Sequence, residues 1–370
     1  MTATKGLEGI VATTSSISSI VDGVLTYRGY NIDDLAEHAS FEEVAYLLWF
    51  GKLPNEQELQ KLQKDLSDYA AIPDALIEQI KLYPKDTNTM AALRSAVSSL
   101  ALYDADAEDM SQEANEKKAV KLQAQLPTIV AAIARIRQGK EPVAPKAGVS
   151  VAENFLYMLR GEQPEETSIK ALDQALVLHA DHELNASTFA SRVTVATLSD
   201  IYSGVTSAIG ALKGPLHGGA NEAVMKMLNE IGTIDQAEGY IQQKLQNKDK
   251  IMGFGHRVYK NGDPRAKHLQ KMSKELGDMK GDTSLYDISV LVEETVTGQK
   301  GLKPNVDFYS ASVYTQLGIE HELFTPIFAI SRVSGWTAHI LEQYDGNRII
   351  RPRAEYTGLT DQKYVPLSLR

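Results

Sequence analysis

A chain of 370 residues, 43% hydrophobic and 23% charged, exceeds the size at which one core usually keeps growing, so two domains around a large buried interior are expected. The absence of cysteine excludes disulfides, thiolate nucleophiles and Cys-type zinc sites and accords with a reducing compartment, while a formal charge of -10 disfavours nonspecific nucleic-acid binding. The longest apolar runs are far too short to cross a bilayer, and Met1 to Ile10 has neither a secretory nor a transit pattern, so a cytoplasmic protein without membrane or nucleic-acid partners is expected.

In chain order, the clearest strand signal comes first. Ile10 to Ser19 is rich in Ile, Val, Thr and Ser, and Asp22-Gly23 precedes Val24 to Tyr27, which predicts a short N-terminal β-hairpin. From Ser40 the pattern turns helical, with Ser40 and Glu43 fitting a capping box and Phe41, Val44, Ala45, Leu47 and Leu48 at helical spacing. Further helices are predicted over Glu56 to Tyr69, Ala91 to Tyr103, Glu113 to Arg137, Ile169 to Leu178, Ala220 to Ile231, Asp263 to Leu276 and Ser331 to Tyr344. The fold class is therefore mainly helical, all-α. No flexible linker interrupts the chain, so a second domain is expected as an insertion, with hinges near Gly218-Gly219 and Ser310.

Polar clusters are scattered through this pattern. Ile251 to Arg265 sets His256 among Gly253, Gly255 and Gly262 and the cations Arg257, Lys260 and Arg265. Such a loop can grip an anion beside a titratable imidazole, or can be a solvated basic turn. In Gly214 to Glu222, His217 stands where Pro215 and two glycines tighten the chain before a helix. Facing that helix dipole would keep its ring neutral; the alternative is a plain helix cap. Asp307 follows Pro304 and Asn305, where a carboxylate is commonly an N-cap. His179 and His182, beside Asp181 and Glu183, raise a metal site. A third ligand is missing, however, and there is neither H-E-x-x-H nor a Cys pair, so buried histidines or ligand contacts are the other readings. Gly253-Phe254-Gly255 lacks the third glycine and the preceding strand of a dinucleotide fold.

Taken together, G-P-L-H-G-G-A-N-E, G-F-G-H-R-V-Y-K-N-G-D-P-R, N-V-D-F-Y-S and R-P-R-A-E-Y-T-G, in that order and spacing, resemble the citrate synthase family. The resemblance extends to H-A-D-H-E-L-N-A-S, to the region from Ala152 and to Gly6 to Tyr30, and is closest to the compact bacterial and archaeal form. It implies that His217, His256 and Asp307 form the catalytic trio. Asp307 would take a methyl proton from acetyl-CoA, His217 would hydrogen-bond the thioester oxygen, and His256 would polarise the ketone of oxaloacetate. Citryl-CoA would then be hydrolysed to citrate and CoA, the first step of the tricarboxylic acid cycle.

The resemblance further implies oxaloacetate contacts from His182, Arg265, Arg332 and Arg351, the last supplied across a homodimer interface. It implies CoA contacts around Arg257, Lys260, Gly253 and Gly255, although Lys260 stands where some members have arginine. No metal or resident cofactor is implied, because CoA enters as substrate. The implied fold has a large domain of residues 1–219 plus 313–370 and a small domain of 220–312 that closes over the site after oxaloacetate binds. Asn88-Thr89-Met90 departs from the His-Pro-Met of many relatives. Two rivals remain: 2-methylcitrate synthase, whose acyl pocket differs by one methylene, and a noncatalytic sensor that keeps the fold.

Overall fold

The computed structural model describes residues 5–7, 9–256, 258–259 and 261–370. Three strands, β1 (Ser18–Val21), β2 (Val24–Tyr27) and β3 (Tyr30–Asn31), form one antiparallel sheet in sequence order, with Ser18 opposite Tyr27 and Tyr27 opposite Tyr30. The expected hairpin is present, turned at Asp22 and Gly23 in the left-handed region, and the third strand extends it.

Sixteen α-helices follow among the described residues: α1 (Ile32–His38), α2 (Phe41–Phe50), α3 (Glu56–Tyr69), α4 (Asp74–Lys81), α5 (Thr89–Leu100) and α6 (Gln112–Arg137). Next come α7 (Val151–Arg160), α8 (Glu166–His179), α9 (Ala186–Val195), α10 (Ile201–Leu212) and α11 (Ala220–Ile231). The last are α12 (Ile234–Gln246), α13 (Ala266–Lys280), α14 (Ser284–Lys300), α15 (Val306–Gln316) and α16 (Phe324–Asp345). Local chemistry sets many boundaries. Ser40 and Glu43 make the expected capping box on α2, and Asn55 with Glu58 makes a second on α3. Thr89, at the departure from His-Pro-Met, opens α5, and Asn88 rather than Thr89 caps it.

Helix α16 organises the interior. It packs against α2, α6, α8 and α9 and has no solvent face from Phe324 to Ile340. Burying it on all sides means that every polar side chain along it needs a partner or a function. Gly335 makes the tightest approach, since a Cβ there would collide with Ala180 O and Asp181 Oδ1. A second packing group lies between 220 and 316, where α11, α13 and α14 gather on α15 and α12 packs on α14.

Candidate active site

The His256 loop and the start of α15 are fastened together. Phe254 bridges Pro304, Gly255 N–H donates to Lys303 O at 2.9 Å, Asn305 N–H donates to Gly253 O at 2.9 Å, and Asn305 Nδ2 donates to Gly255 O at 2.9 Å. Gly253 makes this possible. Its φ is +82°, and a Cβ would stand 2.8 Å from Val224 and 2.9 Å from Phe308, so its demand is close helix packing. Gly253→Ala is expected to cost about 2 kcal/mol or more, from backbone strain and overpacking together. Urea unfolding measures it, and an unchanged midpoint would contradict this account.

Asn305 Oδ1 accepts from Asp307 N–H at 3.1 Å, so Asn305 caps α15. Asp307 is thus not the cap that its position suggested; its Oδ1 is buried with no partner among the described residues. Burial pushes its carboxyl up to about 7, against the pull of Arg265 and Arg332. His256 is oriented by its own loop: Nδ1 accepts from Val258 N–H at 3.0 Å and Tyr259 N–H at 3.2 Å. A neutral ring therefore carries its proton on Nε2.

His217 sits in the turn between α10 and α11, where His217 N–H donates to Gly214 O and Gly218 N–H to Leu212 O, both at 2.9 Å. Its ring is neutral at pH 7, its pKa pushed down to about 4 by burial and then by Arg332. The ring turns to α9 rather than to the helix that follows it. The ring meets the first turn of α9: Nε2 lies 3.3 Å from Ser187 N–H and 2.8 Å from Ser187 Oγ. Trp336 Nε1 donates to that same Oγ at 3.0 Å. The Ser187 N–H can only donate, so Nε2 accepts and Nδ1 carries the proton.

His182 Nε2 pairs with Tyr259 Oη at 3.0 Å, and its ring lies 5.3 Å from that of His256, centroid to centroid. Burial, followed by Arg265 and Arg332, holds its pKa well below the usual range. His179 is instead a core residue, fully buried, with Nδ1 on Ala175 O at 2.7 Å. No group of three or more residues suited to hold a metal occurs among the described residues.

Arg265 forms a buried two-pronged pair with Asp263, at 2.9 and 2.7 Å. Arg332, 1% exposed, gives Nε to His179 O at 2.7 Å and stacks 4.7 Å over Phe328. Burial lowers its pKa to about 10, which leaves it a cation at pH 7.

These groups meet. His182, His217, His256, Arg265, Asp307 and Arg332 line one cleft of about 390 Å³. Arg351 is not among the residues that line it, and the chain from 351 onward is exposed. Gly253 and Gly255 stand at the base of the His256 loop, whereas Arg257 and Lys260 lie outside the described residues. Ser187, Trp336, Tyr259 and Asp263 were not singled out from sequence. The Asp-Pro-Arg spacing at 263–265 was a usable sign of a carboxylate–guanidinium pair; Trp336 gave none.

A family described as "Citrate synthase, C-terminal domain" matches residues 6–353. The chain belongs to the citrate synthase family. Members are acyltransferases that form a carbon–carbon bond, and the class extends to this chain. Citrate synthase 2 of Bacillus subtilis (strain 168) is 62% identical over the whole of both chains. A 2-methylcitrate synthase of Mycobacterium tuberculosis is 43% identical, over 98% of this chain and 92% of its own. Citrate synthase from the thermophilic archaeon Thermoplasma acidophilum, solved as a ternary complex with carboxymethyl coenzyme A and oxaloacetate, superposes with a TM-score of 0.92. That structure is 37% identical and covers 98% of each chain. The citrate synthase fold expected from the motifs is present, and among the described residues no helix is long and apolar enough to cross a membrane.

Proposed function

We propose that this cleft condenses acetyl-CoA with oxaloacetate and water to give citrate and CoA. The observation that carries the reading is a buried Asp307 carboxylate, its Oδ1 without a partner among the described residues, set in one cleft with a neutral His217. A pKa of about 7 makes Asp307 a far stronger base than an ordinary carboxylate, suited to a methyl proton beside a thioester. His217 offers Nδ1–H to the thioester oxygen as a neutral donor and so stabilises the enol or enolate. His256, protonated on Nε2, polarises the oxaloacetate ketone. The new carbon nucleophile attacks it, and water cleaves the resulting citryl-CoA.

His182, Arg265 and Arg332 hold the dicarboxylate. Two buried cations, with Arg265–Asp263 their one close ion pair among the described residues, favour an anionic guest. Arg351 is assigned to the cleft of a second copy. Supporting this, its segment is exposed and carries apolar residues that a lone chain leaves in water, among them Tyr364 at 81% and Leu367 at 78% exposure. CoA enters as substrate, with Arg257, Lys260, Gly253 and Gly255 assigned to its passage, and no resident cofactor has a role. Residues 220–312 act as the closing domain on residues 1–219 plus 313–370. Oxaloacetate binds first, and closure then excludes water from the enolate.

The test is CoA release from acetyl-CoA and propionyl-CoA, each with and without oxaloacetate. A kcat/KM at least about tenfold higher for acetyl-CoA is expected, the size of effect that one methylene allows. A reversed preference would move the assignment to methylcitrate synthesis, and release without oxaloacetate would defeat both. An inactive folded protein would restore the sensor reading.

A further inference from the structure

Beneath His182 runs a line of buried polar groups that does not line the cleft. Asp181 is fully buried, and its Oδ2 accepts from Ser18 Oγ–H, from Glu183 N–H at 3.2 Å and from His339 Nε2 at 3.3 Å. The direction of that last bond is fixed from the far side of the ring. His339 Nδ1 lies 3.0 Å from Arg192 Nη1, and a guanidinium can only donate, so the proton of a neutral His339 is on Nε2, facing Asp181. Arg192 is itself tied by Glu342 at 2.7 Å and Gln343 at 3.1 Å. Glu342 accepts Ser16 N–H from the N-terminal segment at 2.7 Å.

The carboxylate that receives this proton holds a strained turn. Glu183 has φ +50°, a conformation that costs a non-glycine residue about 1 kcal/mol or more. Its N–H is caught by Asp181 and by Ser18 Oγ at 2.9 Å. Tyr27 Oη clamps the other side, donating to Asp181 O at 2.9 Å and accepting from Asp181 N–H at 3.2 Å. His182 lies between the two fixed residues, and the same segment supplies the His179 carbonyl that anchors Arg332.

We propose that His339 is a positioning residue for oxaloacetate: through Asp181 it fixes the 179–183 segment that aims His182 and Arg332 into the cleft. The inference rests on the reading of those two residues as oxaloacetate contacts. It sets His339 apart from an ordinary core histidine, whose loss would lower stability without favouring one substrate over the other.

The experiment compares His339→Phe, His339→Gln and Ser18→Ala with the wild type. The readouts are KM for each substrate, kcat, calorimetric Kd for oxaloacetate and the urea midpoint. Phe fills the space without a donor, whereas the Gln amide reaches Asp181 much as Nε2 does. His339→Phe is expected to raise KM and Kd for oxaloacetate about tenfold, the worth of one buried hydrogen bond to a charge, with KM for acetyl-CoA within about twofold. His339→Gln should recover most of the loss, and Ser18→Ala should shift oxaloacetate binding in the same direction by about threefold. Unchanged oxaloacetate binding in a folded His339→Phe protein, or parallel changes for both substrates, would overturn the proposal. If that variant does not fold, Ser18→Ala decides, and normal oxaloacetate affinity there would overturn it. A wild type without oxaloacetate-dependent CoA release would defeat the underlying functional reading; an active wild type with indifferent variants would defeat this inference alone.

Discussion

Asp307→Asn is expected to lower kcat by about a thousandfold while leaving oxaloacetate affinity nearly unchanged, since amide and carboxylate share a shape but only one accepts a proton. The wild type carries a second signature of the same group. With the carboxyl raised to about 7, kcat/KM for acetyl-CoA should fall about tenfold per pH unit below that value, because the protonated form cannot act as base. The acidic limb should vanish in the residual activity of the variant. Stability should run the other way. A folded-state pKa above the unfolded 3.8 gives a contribution that is full below the unfolded value and lost as pH rises through about 7. Asp307→Asn should therefore unfold at higher urea than the wild type above neutrality. A turnover number within tenfold of wild type would remove Asp307 from the role of base.

The second large effect is a rescue. If two copies build each cleft as proposed, Asp307→Asn and Arg351→Gln proteins should each be nearly inactive, yet mixing them through a dissociating step should restore activity. In a mixed dimer one cleft combines the intact Asp307 of one chain with the intact Arg351 of the other. Random reassociation makes half the dimers mixed, so about a quarter of all clefts should work. Size-exclusion chromatography and CoA release follow assembly and activity together. Mixed dimers that form but remain inactive would place Arg351 in the cleft of its own chain.

Much of this was legible where the signal is local. The capping box at Ser40 and Glu43, the turn at Asp22-Gly23 and the span of α3 depend on residues within one or two turns of each other, and each formed where expected. Helices α9 and α10 escaped notice because their Ala, Ser, Thr and Gly residues blur the apolar period, although Asn185 and Asp200 cap them. The citrate synthase motifs brought six side chains to one cleft, but not what holds them there. Trp336 reaches Ser187 across 149 positions and His339 reaches Asp181 across 158, and no spacing rule spans such distances. His217 illustrates the same limit. Its neutrality was foreseen from a dipole at its own helix, whereas the helix it touches begins 31 positions earlier, at Ala186.

The ties between 253–255 and 303–305 bear on waste. Asn305 binds both glycine carbonyls and caps α15, so on the proposed roles the imidazole for one substrate and the base for the other are tied to each other. If the proposed closure moves them together, the base would have little opportunity to enolise a thioester that has nothing to attack. Fidelity toward the cell's activated acetyl pool would then be a mechanical property of two short backbone stretches, with Asn305 the side chain that bonds across them.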